Sequence, residues 1–498
     1  MDQQTPWGSG ITYFGSTTLK EQLVRFGIKD RDRVENMCVM GRADSGRGDL
    51  LMTMMLQDIQ KGCGAVLLDA DGKMVQRLLE RLDPAVHDKL VYLDPSDAEY
   101  PYTWNILDDV KSLPPKGRLD FYIHLLETLY GITRDAFVED VARMVLEKEG
   151  ASVYSFYALI TDEKFRRDFF DSPEQKKEET EKKKKDFEDR LIVHGAFAKK
   201  LEEDGKYIAK DTMVRNLIGQ KQSKFTLDHL PDGQIVVVDF SRIRMYPTRM
   251  KPLLQMFIEA VEISASAEQP SLLYMQDCAR YLDTDELQHL FQDKRIAVTV
   301  GDTIIQEADF EKRKYMFSLC GTIVSLATHP LDKELVEHVF YPHTTSDELQ
   351  HLEKNEMLVA LSIDGVRQKP FFAHTTPLLP KQNTSFQDMV VAARDRYTTA
   401  RSKVDASLKP KPEPEPDDEN DPLGGASFQD AFRSIFAKKA GDDKAGAGST
   451  KEPAKKETPI NKEESAEKKV GTLPADNQEK KEVPETMLKE MVFVPVPA

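Results

Sequence analysis

Val39-Met40-Gly41-Arg42-Ala43-Asp44-Ser45-Gly46-Arg47-Gly48-Asp49-Leu50-Leu51 is the stretch on which the reading of this chain turns. The apolar lead-in from Met37 to Met40 predicts the end of a strand. Gly41 and Gly46 bracket a four-residue loop. Leu50, Leu51, Met54, Met55 and Ile59 then recur at helical spacing. Strand, glycine loop and helix are the setting of a phosphate-binding loop, G-x-x-x-x-G-K-[ST]. The frame is kept, but two chemical positions differ. Arg47 stands in the lysine slot and Gly48 in the hydroxyl slot. Gly48 has no oxygen to offer magnesium, and Arg47 replaces a compact ammonium with a planar fork. Asp49, and less directly Asp44, bring carboxylates to a helix N-terminus that would receive phosphate, where an acidic side chain can itself fill the anion site. The nucleotide-binding candidates are therefore Gly41, Ser45, Gly46, Arg47, Gly48 and Asp49. A bare glycine turn is the alternative reading of so altered a motif.

The sequence around this loop predicts a sheet. Gly64 to Asp69 is a buried strand followed by the turn Ala70 to Lys73 and a helix carrying Met74, Val75, Leu78, Leu79 and Leu82. Leu90 to Leu93 is a further strand, ending at Asp94. Strand–helix–strand alternation implies a mostly parallel sheet with helices on both faces. Ligands of such sheets sit at the carboxyl ends of the strands, where Asp69 and Asp94 fall. A turn or helix-capping role explains each aspartate equally well. Strands resume at Gly233 to Phe240, Ser271 to Asp277, Ile296 to Val300 and Gly321 to Leu326, and Val359 to Gly365 suggests a late edge strand.

These signals divide the chain as follows: 1–36, a β-rich lead closed by the charged turn Asp30 to Arg33; 37–112 and 216–400, the two parts of an α/β core; 113–215, an all-helical insertion; and 401–498, a disordered tail. The tail composition cannot bury enough apolar surface to fold. It carries two apolar islands, Ser427 to Lys439 and Met487 to Val496, which are either docking motifs that order on binding or idle apolar patches. Lys182 to Lys185, flanked by glutamates, is read as a solvated face.

At 498 residues there is room for about three domains. The net charge is -16. From Arg401 onward, 17 basic residues stand against 20 acidic ones, so most of the excess belongs to the folded part. Any DNA contact therefore needs a local basic surface. Cys38, Cys63, Cys278 and Cys320 form no C-x-x-C pair, which points to a reducing, cytoplasmic compartment without disulfides or a zinc site. No apolar run reaches the ~18 residues that cross a bilayer, so attachment to the inner face of a membrane would need partners.

Several segments, in this order, resemble the HerA/FtsK-like hexameric ATPases, and within them the TraD-like DNA-transfer coupling ATPases of type IV secretion and conjugation. They are Phe26 to Arg33, Leu56-Gln57-Asp58-Ile59, Tyr92 to Asp97, Trp104-Asn105-Ile106-Leu107, Val214 to Gln220, Gly321 to Ser325, and Ile363 to Phe371. The resemblance covers roughly Ile11 to Pro380. It implies a RecA-like P-loop NTPase core with a helical domain beside it, ATP with magnesium as cofactor, a homo- or hetero-oligomeric, hexameric ring, and DNA and type IV secretion components as partners. Membrane-bound members carry N-terminal spanning helices, and this chain is expected to belong to a soluble branch.

The catalytic positions that the resemblance assigns are altered. The Walker B Asp-Glu falls on Gln276-Asp277, the sensor His-Gln on Asp302-Thr303, the D-P-H-G-D turn on Asp69 to Lys73, and a trans-acting arginine near Gln292. The degenerate catalytic positions are thus Asp277, Gln276 and Thr303, with Asp69 as a further site residue and no metal set assigned. Each change removes a part of phosphoryl transfer, in which lysine and magnesium neutralise phosphate charge and acids hold metal and orient water. The leading expectation is a hydrolysis-impaired subunit with a structural or regulatory role. The alternatives are a divergent but active DNA-translocating ATPase and a non-catalytic scaffold with a recruiting tail.

Overall fold

The computed structural model describes residues 10–171, 177–266, 268–303, 310–382, 385–408 and 494–495. The chain forms two units, Met1–Pro410 with Lys481–Ala498, and Lys411–Lys480. The second unit and the island Ser427 to Lys439 lie outside the described residues.

The lead is a hairpin of β1 (Ile11–Leu19) and β2 (Gln22–Lys29), paired from Ile11↔Lys29 to Leu19↔Gln22. Its two turn residues, Lys20 and Glu21, both have positive φ, the backbone twist that two-residue hairpins require. The expected charged turn is instead a short buried helix, α1 (Asp30–Arg33), with Asp30, Asp32 and Arg33 inside. Their charges are engaged. Asp32 accepts the backbone N–H groups of Asp364 and Gly365, both at 3.1 Å. Arg33 reaches Asp58 at 3.1 Å and donates to the Tyr274 hydroxyl at 3.0 Å. Tyr274 and Thr12 both donate to Asp58. This buried cluster ties the hairpin to a core helix and a core strand.

Beyond the hairpin come β3 (Met37–Met40), α2 (Arg47–Gln60), β4 (Ala65–Asp69), α3 (Lys73–Leu79), β5 (Leu90–Leu93) and the single turn α4 (Ile106–Asp109). Seven helices follow: α5 (Pro115–Tyr130), α6 (Ala136–Leu146), α7 (Val153–Thr161), α8 (Glu163–Phe170), α9 (Lys177–Val193), α10 (Gly195–Ala209) and α11 (Thr212–Ile218). They supply the all-helical character expected of this stretch. Lys182, Lys183 and Lys185 on α9 are exposed while Phe187 is buried, the pattern of a solvated face. The stretch joins the core where Asp211 pairs with Arg249 at 2.6 Å and where the Ala151 carbonyl accepts from the Asn105 amide at 2.7 Å.

The chain then forms β6 (Ile235–Asp239), α12 (Pro247–Ser264), β7 (Ser271–Gln276), α13 (Thr284–Gln292), β8 (Ile296–Asp302), α14 (Phe310–Leu319), β9 (Thr322–Ser325), α15 (Lys333–Phe340), α16 (Ser346–Gln350), β10 (Glu356–Ala360), the small hairpin β11 (Ser362–Ile363) and β12 (Val366–Arg367), β13 (Phe371–Thr375), α17 (Phe386–Tyr397), α18 (Arg401–Leu408) and β14 (Val494–Pro495). Twelve strands make one sheet in the order β14-β2-β1-β13-β10-β9-β3-β8-β7-β4-β6-β5. From β9 to β5 every pairing is parallel, and from β9 outward to β14 every pairing is antiparallel. The parallel strands are mostly apolar and almost wholly buried, with polar residues concentrated at their ends, as helix-covered strands are.

Two boundaries differ from expectation. The strand predicted at an edge from Val359 corresponds to β10, which begins earlier, at Glu356, and lies inside the sheet between β9 and β13; Met357 to Ala360 are apolar and buried because the strand is covered, and the turn residues after it form a separate hairpin. The fold also extends past 401. Helix α18 buries Val404 to 2 % exposure, Asp405 takes Arg215 at 3.0 Å, and Arg401 pairs with Glu99, so apolar burial and ion pairs hold a segment whose composition resembles the tail.

Removing one partner of a buried pair leaves the other charge stranded. Asp58→Ala or Arg33→Met is expected to lower stability by roughly 3–5 kcal/mol, measured by urea unfolding, and the double replacement by apolar residues is expected to recover much of that loss.

Candidate active site

Sheet register brings the carboxyl ends of five parallel strands level. Met40 pairs with Asp302 on one side and Ser325 on the other. Gln276 pairs with Gly301 and with Asp69. The loop from Gly41 to Gly46 leaves β3 at this edge and enters α2. Gly46 caps the helix at φ +107, and a Cβ there would strike Asn355 Oδ1. A Cβ on Gly41 would lie 2.6 Å from Ser45 Oγ and 3.1 Å from Leu326 Cβ. Both glycines are therefore required by close packing. Gly48 differs, since no heavy atom lies within 4 Å of where its Cβ would be.

Arg47 turns away from the loop into the sheet edge. Its Nη1 meets Asp277 Oδ1 at 3.1 Å and its Nη2 meets Oδ2 at 2.8 Å, a bidentate fork, and Nη2 also donates to Thr303 Oγ1 at 2.8 Å. Both ends are largely buried, with 6 % and 16 % of their side chains exposed. Asp277 has further donors: the Thr303 N–H at 2.7 Å and the Gln276 amide at 3.0 Å. Burial by itself would raise the pKa of Asp277. The Arg47 charge and the donors outweigh it and hold the carboxyl below its ordinary range. Asp277 adopts this position with φ +54, a left-handed conformation uncommon outside glycine.

The candidates Arg47, Gln276, Asp277 and Thr303 thus form one network. Asp302 stands beside them, buried, with Oδ2 and the neighbouring Gln276 Oε1 lacking hydrogen-bond partners among the described residues. Burial, then the Asp277 charge, pushes Asp302 up to about 7.

Other candidates are placed differently. Asp49 pairs with Arg77 on α3 and Asp44 is exposed at φ +63. No side chain caps α2, so the expectation that an aspartate occupies the anion position is corrected: a neighbouring cation draws Asp49 sideways. Ser45 is buried, and its carbonyl accepts the Asn355 N–H at 2.8 Å. Asp69 faces its own turn. Its two oxygens accept N–H groups of Asp71, Gly72, Met74 and Val75 at 2.9–3.1 Å, and burial pushes it up to about 7 against those bonds. It acts as the cap of α3. Gln292 ends α13 and is exposed. Asn355, which covers the loop from β10, escaped sequence reasoning; its only signal was an asparagine before a strand, a residue type that tolerates its φ of +70.

The donor set does not fit a catalytic magnesium. Gly48 has no side-chain oxygen, Gln276 is neutral, and both Asp277 oxygens are occupied. No group of three or more His, Cys, Asp or Glu suited to a metal occurs among the described residues. The backbone of the loop, with its uncapped helix end, retains the form of an anion cradle.

A strand–loop–helix unit opening a mostly parallel, helix-covered sheet defines the fold as that of a P-loop NTPase. Among solved structures, the bacterial conjugative coupling protein TrwBdeltaN70, in its unbound form, is similar with a TM-score of 0.51 at 12 % identity, over 72 % of this chain and 89 % of that one. TrwB in complex with ADP and Mg2+ gives 0.48 at 14 % identity, over 72 % and 89 %. VirB4 of Thermoanaerobacter pseudethanolicus gives 0.47 at 12 %, over 75 % and 97 %. At that identity the likeness to the unbound TrwBdeltaN70 structure establishes the fold alone. No protein-family model and no curated protein sequence matches the chain.

The raised pKa of Asp302 fixes a sign. Its folded value exceeds the unfolded one, so the folded chain binds more protons between about pH 4 and 7, and this group's contribution to stability falls as pH rises through that window. Wild-type urea midpoints are expected to fall from pH 5 to 8, and to fall less in Asp302→Asn.

Proposed function

We propose that this chain is a hydrolysis-impaired, P-loop ATPase-like subunit related to the motors of conjugative DNA transfer and type IV secretion, with a structural or regulatory role. The observation that carries this reading is the fork of Arg47 on Asp277. In an acting ATPase the loop cation neutralises phosphate and the acid at the end of the neighbouring strand serves metal or water. Here the two neutralise each other, with Thr303 and Gln276 completing the pair. A nucleotide would have to break a buried, charge-assisted contact to recruit Arg47, and magnesium would find no oxygen at Gly48. Oligomerisation into a ring and association with DNA or secretion components are part of the proposal, supported by the fold alone. No helix among the described residues is long and apolar enough to cross a membrane, so work at a membrane's inner face would proceed through partners.

One observation favours a second reading, a divergent active ATPase. The end of α2 carries no side-chain cap, so the backbone cradle remains open to an anion. ATP binding in that cradle without hydrolysis is compatible with the first reading; turnover belongs only to the second.

Calorimetry and phosphate release on the full chain separate them. The expected result is no magnesium-dependent hydrolysis above background and, at most, nucleotide binding that ignores magnesium. Magnesium-dependent turnover abolished by Asp277→Ala would overturn the proposal. Because Gly48 has open space around it, the pair Arg47→Lys with Gly48→Thr is expected to fold and to gain magnesium dependence in ATP binding.

A further inference from the structure

The antiparallel end of the sheet finishes on β2, whose next neighbour comes from the far end of the chain. Val494 pairs with Arg25 and Pro495 with Val24, antiparallel. More than eighty residues separate Leu408 from Val494, ample length to reach this edge. An open sheet edge is a template for unwanted pairing. The hairpin strand β2 alternates buried Val24, Phe26 and Ile28 with exposed Leu23 and Arg25, so without a neighbour it would offer a row of backbone groups beside apolar side chains.

The sequence of the added strand carries a second, independent signal. It runs Val492-Phe493-Val494-Pro495-Val496-Pro497. In a strand, backbone N–H groups at alternate residues point to opposite edges. Pro495 has no N–H, so the bonds to β2 belong to the parity of Val494, shared in sequence by Val492 and Val496. Pro495, of the opposite parity, removes a donor from the outward edge, and Pro497 repeats that parity in sequence. Prolines are tolerated only where a strand has no further partner on that side. The segment therefore has one edge able to pair and one edge blunted.

We propose that the C-terminal V-F-V-P-V-P segment is a built-in edge strand: it docks on β2 of its own chain, and its prolines stop the sheet from growing further. The surface it occupies is a receptor for an extended, β-branched peptide bound antiparallel to Gln22–Lys29. The apolar island at the end of the tail, otherwise unassigned, thereby acquires an occupant role in the fold. This inference is independent of the nucleotide chemistry proposed above.

Two full-chain variants test it with hydrogen exchange on β2. Val494→Pro removes the N–H that faces β2, and Pro495→Val leaves that N–H in place. The Arg25 amide is expected to exchange on the order of tenfold faster, or more, in Val494→Pro and to be unchanged in Pro495→Val. A labelled peptide of residues 487–498 is expected to bind the Val494→Pro chain and to be excluded from the wild type. The double variant Pro495→Val with Pro497→Val is expected to show larger species in sedimentation that the wild type lacks. Equal Arg25 exchange in wild type and Val494→Pro, with no peptide binding to the variant, overturns the docking. Unchanged sedimentation of the double proline variant overturns the blunting role.

Discussion

The fork between Arg47 and Asp277 joins the first residue of α2 to the residue that follows β7, with Thr303 beyond β8 as the third corner. Three chain segments far apart in sequence meet at one guanidinium. A planar fork suits this task better than an ammonium, because two parallel bonds to one carboxylate fix direction as well as distance. The surrounding donors leave neither Asp277 oxygen free, and its left-handed backbone turns the carboxylate back toward the loop. The same atoms cannot at once hold this corner together and serve a phosphate and a metal. The conflict between structural and chemical use of Arg47 is the central constraint on any account of this chain.

Near the far end of α2 lies a second charged cluster with a different purpose. Arg33, Asp58, Tyr274 and Thr12 are all buried and mutually bonded. They connect the N-terminal hairpin to α2 and β7. Helix α2 is thus held near both ends, by Arg47 at its start and Asp58 near its finish. A buried ion pair contributes little over an apolar pair of equal volume, but it demands one geometry. Here that geometry fixes where an antiparallel extension of five strands joins a parallel core.

Much of the core was legible from sequence because its strands are short, apolar and separated by helices of clear periodicity, from Gly64–Asp69 to Gly321–Leu326. What escaped had physical reasons. Asp30 to Arg33 carries four charges in a row and invites a solvated turn, yet three of the four side chains are buried on partners distant in sequence. The edge strand expected over Val359 to Gly365 proved to be an inner strand, β10, because a short apolar run gives no edge-or-centre signal. At the candidate site the altered residues were identifiable one by one, but their mutual pairing was not. The fork needs Asp277 at positive φ, and nothing in Gln276-Asp277-Cys278 announces that. The role of Asp49 was misjudged for a similar reason: its partner, Arg77, lies on the next helix.

The glycines of the phosphate-loop frame are held in place by packing. Gly46 is excluded from bearing a side chain by Asn355 and by its φ, and Gly41 by Ser45 and Leu326. Neither constraint involves a ligand; both come from the packing of the loop against β9 and the start of β10. The lysine and hydroxyl slots are under no such pressure. Gly48 faces open space, and Arg47 has found a partner within the protein. Gly41 and Gly46 are thus the two loop positions that the packing of the fold itself constrains. The glycine frame in this chain is therefore evidence for the fold, and the Arg47–Asp277 pair is the evidence that bears on what the fold now does.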